Sequence, residues 1–209
     1  MLEWIQIGGP IMLMILLVSL IGLATFIERL FHYHRAQIRT DDFMRGIFNV
    51  LRTDNRVEAI TLCEETPGPV SKIVHAALLR LDDGPERMNE AMNAAGLLEI
   101  PRLERRLNLL ATVGVLAPLL GLFGTVLGLM SGLDRFSEAP LAHHGHLASG
   151  LWQALLTTGF GLAVAIAAYA GYNLLLARVD SLLLDMEQAA QQITDRFAFK
   201  KRKSGEGEK

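Results

Sequence analysis

The apolar residues of this 209-residue chain gather in three long runs instead of recurring along a single periodic core face. The runs cover about residues 10–31, 107–133 and 149–177. An apolar run of roughly 20 residues is enough for a helix to cross a lipid bilayer. The pattern therefore predicts an all-α integral membrane protein with three transmembrane helices.

The segment between the first and second runs, residues 32–106, is polar and helical in pattern. Two turn signals rich in Pro and Gly divide it, TPGP at 66–69 and DDGP at 82–85. They predict helices near 41–64, 70–81 and 86–106. Pro101 is expected to kink or restart the last of these, because proline removes one backbone hydrogen bond.

The segment after the third run, residues 178–199, has an amphipathic pattern. Its apolar side chains recur at helical spacing, at Val179, Leu182, Leu183, Met186, Ala190 and Ile193. The third transmembrane helix should therefore continue beyond the membrane and pack on an extension of the second. The polar tail at 200–209 is expected to be disordered.

The basic residues indicate how the three helices are oriented. Of the 20 Lys and Arg residues, only Arg135 lies between the second and third runs. By the positive-inside rule, residues 1–9 and the loop at 134–148 lie outside, whereas 32–106 and the C-terminus are cytoplasmic. The predicted topology is N-out and C-in, with long cytoplasmic extensions of helices two and three.

Small residues follow one face of the second run and one face of the third. They are spaced by three and four residues, which places them on one side of each helix. In the second run they are Gly114, Ala117, Gly121, Thr125, Gly128 and Gly132. In the third run they are Gly150, Ala154, Thr158, Gly161, Ala165 and Ala168. Such faces mark close helix approach in a bilayer, so we predict a helix-packing pore face through Gly121, Gly128, Ala154, Gly161 and Ala165.

Neither the second nor the third run contains a formally charged side chain. A proton pathway through them would therefore have only hydroxyl and amide groups, and the titrating acid must come from another polypeptide. Thr125 and Thr158 lie mid-run on the small-residue faces and are the candidates to line that pathway. The alternative is that each hydroxyl bonds the carbonyl three or four residues earlier in its own helix.

Glu28 and Arg29 close the first run at the predicted cytoplasmic boundary. We predict a boundary ion pair between them; the functional alternative is a proton exit or a link to the cytoplasmic helices. Cys63, the only cysteine, excludes an intrachain disulfide and is expected to be a small buried apolar residue.

Three histidines, His143, His144 and His146, cluster in the predicted outer loop. A flexible loop without a fixed fourth ligand is poor geometry for zinc, so no metal site is predicted there. The chain also has no phosphate-binding glycine loop, zinc-spaced cysteine pair or nucleophile elbow. We predict that it is not an enzyme and has no cofactor.

Two longer motifs resemble the ExbB/TolQ family, which is related to the flagellar stator protein MotA. They are APLLGLFGTV at 117–126 and ALLTTGFGLAVAI at 154–166, the second followed by Tyr172 and Asn173. The resemblance implies a homopentamer whose second and third spans line a pore around an ExbD/TolR-like dimer. In the family that partner carries the essential membrane aspartate. The family's pore threonines correspond to Thr125 and Thr158.

The function implied by the resemblance is that of a proton-channel or motor subunit of the bacterial inner membrane. With its partner it would convert proton-motive force into work on a periplasmic or outer-membrane system, for TonB-type uptake or Tol-type envelope maintenance. Two positions depart from the family, since Gln153 replaces a common glutamate and Ala167 a usual proline. The alternative is a non-conducting helical membrane scaffold; a small-substrate transporter is disfavoured because neither an inverted repeat nor a broken-helix pair is present.

Overall fold

The computed structural model describes residues 2–36, 39–53, 55–138 and 144–206. Every long element in these ranges is an α-helix, a short 3₁₀ turn covers Leu81–Asp83, and the described ranges contain no β-strand. The prediction of an all-α protein is confirmed. In chain order the helices are α1 (Leu2–Ala36), α2 (Thr40–Arg52), α3 (Arg56–Glu65), α4 (Pro69–Leu79), α5 (Pro85–Glu104), α6 (Leu107–Glu138) and α7 (His144–Glu206).

Three helical segments are long and apolar enough to cross a membrane. They are Gly9–Tyr33, Pro85–Asp134 and Ala148–Phe197, and their most apolar windows have mean hydropathy of 2.6, 2.1 and 1.7. Each segment contains one of the three predicted runs. Large apolar side chains such as Leu20, Phe31 and Ile166 are more than 60% exposed on these helices, which is typical of surfaces that face lipid.

The first of these segments begins at a break in α1. Gly9 has φ 64° and ψ −162°, a conformation that only glycine adopts readily. Pro10 follows as the first helical residue of the span, where its fixed φ and missing N–H are suitable. A Cβ added at Gly9 would lie 2.9 Å from Nε2 of Gln153, but that side chain can move aside, so it is the backbone conformation that requires glycine here.

The chain divides into two compact units. The apolar unit consists of Met1–Arg29 and Arg106–Leu175, and it holds most of α1, all of α6 and the first part of α7. The polar unit consists of Leu30–Arg105 and Leu176–Lys209, and it holds α2 to α5 and the rest of α7. The division follows the ends of the apolar runs. Only the polar unit is expected to fold as a water-soluble protein does, by burying its apolar side chains away from water.

The polar unit differs from prediction in its first helices. The expected single helix over 41–64 is wrong, because α2 ends at Arg52 and α3 begins at Arg56. Asn55 stops the ladder by accepting a hydrogen bond from the backbone N–H of Glu58 at 3.3 Å. A side chain that satisfies a free N–H in this way favours the start of a new helix over the continuation of the old one.

Pro101 lies inside α5 and does not interrupt it. The expected restart there is wrong, because α5 continues to Glu104 and α6 begins at Leu107. Proline removes only its own donor, and its carbonyl still accepts from the N–H of Arg105 at 3.0 Å. The local cost was therefore too small to end the helix.

The C-terminal helix is longer than expected. α7 continues through Glu206, into the segment at 200–209 that was predicted to be disordered, and residues 207–209 lie outside the described ranges. Lys and Arg are strong helix formers, so the basic cluster adds turns to an existing helix at little cost. α7 is one continuous helix that extends past the end of the third apolar run, and the location of this extension beyond the membrane stays a prediction.

A buried carboxylate joins α4 to α5 in the polar unit. Glu99 is 7% exposed, and its two oxygens accept from Nζ of Lys72 at 2.7 Å and from Arg102 at 2.5 Å. The two cationic side chains are largely exposed, so they pair with Glu99 and remain hydrated. This arrangement avoids the full cost of burying an ion pair.

Candidate functional site

The small-residue faces of α6 and α7 pack against each other within one chain. A Cβ added at Gly161 would lie 2.6 Å from the carbonyl oxygen of Ala117, and one added at Gly150 would lie 2.7 Å from that of Gly128. At Gly121 an added Cβ would be 3.0 Å from a backbone oxygen of α7. The helices therefore touch backbone to backbone along this seam, which is the packing that small residues permit in membranes.

Two further members of the predicted face, Gly128 and Ala154, lie on the same seam. An added Cβ at Gly128 would be 3.0 Å from the backbone nitrogen of Ala154, a residue that is fully buried. Ala165 is half-buried. Gly128 and Ala154 therefore lie at a helix contact, and the role of the predicted residues in lining a pore stays a prediction.

The two candidate threonines meet at the middle of the seam. Oγ1 of Thr125 lies 2.6 Å from Oγ1 of Thr158, and both hydroxyls also contact the carbonyl oxygen of Gly121, at 3.0 and 3.2 Å. Thr125 thus makes the local bond to the carbonyl four residues earlier, whereas Thr158 reaches across to the other helix. Sequence spacing predicted the two positions but not their shared acceptor.

Three contacts and only two hydroxyl hydrogens connect these groups. Thr125 donates to Gly121 while Thr158 donates to Thr125, or Thr158 donates to Gly121 while Thr125 donates to Thr158. Hydroxyl hydrogens rotate between acceptors with little movement of the heavy atoms. The pair can therefore pass hydrogen bonds between two arrangements, and both side chains are half-buried and so partly accessible from outside the chain.

The neighbouring threonine has a different environment. Thr157 is 0% exposed, and its hydroxyl donates to the carbonyl oxygens of Gln153 and Ala154 in its own helix, at 3.1 and 3.0 Å. A Cβ added at Gly124 of α6 would lie 2.5 Å from that hydroxyl. Thr157 is therefore a packing residue between α6 and α7.

At the end of the first run, Glu28 forms an ion pair that the sequence did not predict, and the expected pair between Glu28 and Arg29 stays a prediction. Glu28 pairs with Arg106, which immediately precedes α6, and Arg29 is buried at 7% exposure. The pair links α1 to the start of α6 within the apolar unit. Sequence analysis missed Arg106 because 78 positions separate the partners and no local spacing connects them.

The histidine cluster gives no further information on metal binding. His143 lies outside the described residues, as do the side chains of His144 and His146. Among the side chains that the structure describes, no group of three or more His, Cys, Asp or Glu is placed to hold a metal ion.

Cys63 should be inert toward thiol reagents in the folded protein. It is buried in α3, and burial together with the negative charge of Glu64 raises the pKa of its thiol to about 12. The reactive thiolate is therefore almost absent at pH 8. We expect modification by N-ethylmaleimide, followed by mass spectrometry, to be at least about 100-fold slower in the folded protein than in the detergent-unfolded chain. Equal rates would contradict this environment.

Comparison with known proteins identifies a family whose sequence model covers the α6–α7 seam. The sequence model of the MotA/TolQ/ExbB proton channel family matches residues 65–188, which include both threonines and the small-residue faces. This range is more than half of the chain. The chain belongs to the MotA/TolQ/ExbB proton channel family. It is therefore a multi-pass membrane protein, and the resemblance to ExbB/TolQ proteins is confirmed.

Individual members of the MotA/TolQ/ExbB family show how far the similarity extends. The chain is 33% identical over 174 residues to ExbB-like protein 1 of Synechocystis sp., covering 81% of this chain and 68% of that one. It is 39% identical over 116 residues to the Tol-Pal system protein TolQ of Haemophilus influenzae, covering 54% and 51%. It is 26% identical over 214 residues to the biopolymer transport protein ExbB of Neisseria meningitidis, covering 93% and 95%.

Proposed function

We propose that this protein is the channel subunit of a proton-driven motor in the bacterial inner membrane. It works with a single-span ExbD/TolR-like partner and converts proton-motive force into mechanical work on a periplasmic or outer-membrane system. The observation that carries the proposal is the hydroxyl pair Thr125–Thr158, a polar contact in the middle of a helix seam that has no charged side chain.

The division of chemistry between the two proteins follows from charge. An ionisable group inside a bilayer is costly and is retained where it binds or moves an ion. Residues 107–133 and 149–177 of this chain contain no Asp, Glu, Lys or Arg. The partner therefore supplies the carboxylic acid that carries the proton, and this chain supplies a hydroxyl relay beside it.

The proposed assembly is a homopentamer in the orientation that the basic residues predict. Its second and third spans surround the partner's transmembrane helices, so the half-buried threonines face the central space. The polar unit and the continuation of α7 lie in the cytoplasm. A Tol-Pal system protein TolQ and a biopolymer transport protein ExbB both match this chain, so the proposal covers either a Tol-type or a TonB-type system.

Gln153 has a positioning role in this proposal. It stands where many family members have a glutamate, and its amide nitrogen lies beside the break at Gly9. An amide does not titrate, so it cannot carry a proton at neutral pH. We infer that it fills and orders the outer end of the apolar unit, where α1 meets α7.

Proton flux into liposomes tests the proposal directly. The purified chain is reconstituted with its single-span partner, a proton gradient is imposed, and an internal pH-sensitive dye reports the flux. We expect flux from the complex and at most about one tenth of it from the chain alone, since the acid is missing. A partner in which the membrane aspartate is replaced by asparagine serves as the matched control and should give the same low flux.

The second candidate function is a non-conducting membrane scaffold. The observation that favours it is the backbone contact along the α6–α7 seam, which suits a rigid packing element as well as a channel wall. A scaffold predicts equal flux from the complex, the chain alone and empty liposomes. Full flux from the chain alone would exclude both functions, because the acid would then have to lie within this polypeptide.

A further inference from the structure

A groove opens in the apolar unit between α1 and α7, and α6 forms its floor. It has a volume of about 530 Å³, and all of the residues that line it belong to this unit. On α6 Leu110 and Val113 are buried, whereas on α7 Ala163, Ala167 and Ala170 are exposed. The groove is therefore closed by three helices and open on the side that the alanines face.

Small side chains on α7 leave this space unfilled. Ala163, Ala167 and Ala170 are spaced by four and three residues, so they share one face of the helix. The two helices come close only beyond the alanines, where a Cβ added at Gly171 would lie 2.9 Å from Cδ2 of Phe26. Among the described residues that line the groove, Ser19 has the only polar side chain. The groove therefore suits an apolar ligand.

The length of the groove indicates which apolar ligand fits. Its lining on α7 runs from Ala163 to Leu174, about 16 Å along the helix axis at about 1.5 Å per residue. The hydrocarbon core of a bilayer is about 30 Å thick, so the groove extends through one leaflet. A transmembrane helix of another chain would need a face about twice as long. An acyl chain of a phospholipid occupies one leaflet only.

Positive charge lies at the end of the groove that Phe26 and Leu110 form. Glu28, two residues after Phe26, pairs with Arg106, which precedes Leu110 by about one helical turn. The side chains of Arg106 and Glu28 are 45% and 55% exposed, so a ligand can reach them. Arg29 adds a second positive charge, which leaves this end with one net positive charge. Basic pockets between transmembrane helices bind anionic lipid head groups.

We propose that the groove binds one acyl chain of an anionic phospholipid, whose head group lies beside Arg106. The chain fills the space next to Ala163 and Ala167, and the phosphate pairs with the exposed part of the Arg106 guanidinium. The charge of Arg29 adds to the attraction. The lipid belongs to the leaflet at the Glu28 end of the apolar unit. One copy of the chain forms the whole site, which does not depend on proton conduction.

Native mass spectrometry of the full-length chain tests the site. The protein is released from detergent micelles with phosphatidylglycerol, or with phosphatidylcholine of the same acyl chains, and the lipid bound per chain is counted at rising lipid concentration. We expect one retained phosphatidylglycerol per chain. Its affinity should be about fivefold higher than that of phosphatidylcholine, the usual contribution of one basic residue near an anionic membrane surface. Equal affinities, or no retained lipid, would overturn the proposal.

Filling the groove should displace the lipid. Ala167→Phe and Ala163→Phe each place a ring in the groove and should weaken binding of both lipids at least about tenfold, the range for overpacking an occupied space. Gly159→Phe is the matched control, because Gly159 is exposed on the same helix and a Cβ added there meets no atom within 4 Å. Circular dichroism verifies that each variant is folded. If the groove variants bind lipid as tightly as the control, or change only the oligomer size, the proposal is wrong.

Two variants that break the same ion pair separate a head-group site from a structural contact. Arg106→Gln leaves the Glu28 carboxylate unpaired and should abolish the preference for phosphatidylglycerol. Glu28→Gln releases Arg106 for the lipid phosphate and should keep or raise that preference. A purely structural ion pair would make both variants change the preference in the same direction. A fall in both would therefore reject the role of Arg106 as the head-group ligand.

Discussion

Replacing Thr158 by valine is expected to reduce proton flux through the reconstituted complex at least about tenfold. Loss of one proton-transfer group usually lowers a rate by more than this, about 100-fold or more. Valine has nearly the shape of threonine, so the seam should remain packed. The change removes both the 2.6 Å contact to Thr125 and the cross-helix bond to Gly121. The remaining hydroxyl of Thr125 then has only its own-helix carbonyl and no second arrangement.

Thr157→Val is the matched control for this experiment. It is the adjacent residue on α7, it makes the same chemical change, and its hydroxyl bonds only carbonyls of its own helix. Its flux should stay within about twofold of wild type because no relay passes through it. Both variants are measured in the liposome assay at equal protein content, and oligomer size is verified by size-exclusion chromatography. Undiminished flux in a correctly assembled Thr158→Val complex would reject the relay.

Introducing leucine at Gly161 is expected to destabilise the helix pair by at least about 2 kcal/mol, the range for overpacking a close contact. Even the first added carbon would lie 2.6 Å from the Ala117 carbonyl oxygen and 3.0 Å from Cα of Gly121. Neither atom belongs to a flexible side chain, so the helices would have to separate. Separation would also part the two threonine hydroxyls.

Gly159→Leu is the corresponding control. Gly159 lies two residues away on the same helix, it is exposed, and an added Cβ there meets no atom within 4 Å. Stability is measured for both variants by titration with a denaturing detergent while helix content is followed by circular dichroism. If the two leucine variants unfold at the same detergent fraction, the backbone contact at Gly161 is not the element that holds α6 to α7.

The membrane helices were predictable because their signals are local. Apolar runs report length directly, and the spacing of Gly121, Gly128 and Gly161 reports a common face without any knowledge of the partner helix. The break between α2 and α3 was not predicted, since the capping bond of Asn55 competes with a helical pattern that continues on both sides. A local capping hydrogen bond of this kind divides a helix in two while the spacing of apolar residues stays helical on both sides.

Pairings between distant parts of the chain were the other limit. The contact of Glu28 with Arg106 and the shared carbonyl of Gly121 join residues on different helices, and their distances depend on how the helices dock. Sequence analysis identified the threonines as polar residues on a small face. It could not show that their hydroxyls would meet each other. The rotation of each docked helix and the positions of its backbone carbonyls cannot be read from the order of residues.

The uncharged composition of the α6 and α7 membrane segments has a consequence for how the complex responds to acidity. Threonine, serine, asparagine and glutamine keep the same protonation between about pH 4 and pH 9. The charge of these side chains in the channel wall therefore does not change over that range. The acidity profile of conductance would then report the partner's acid alone, displaced from its value in water by the low polarity of the surroundings that this chain provides.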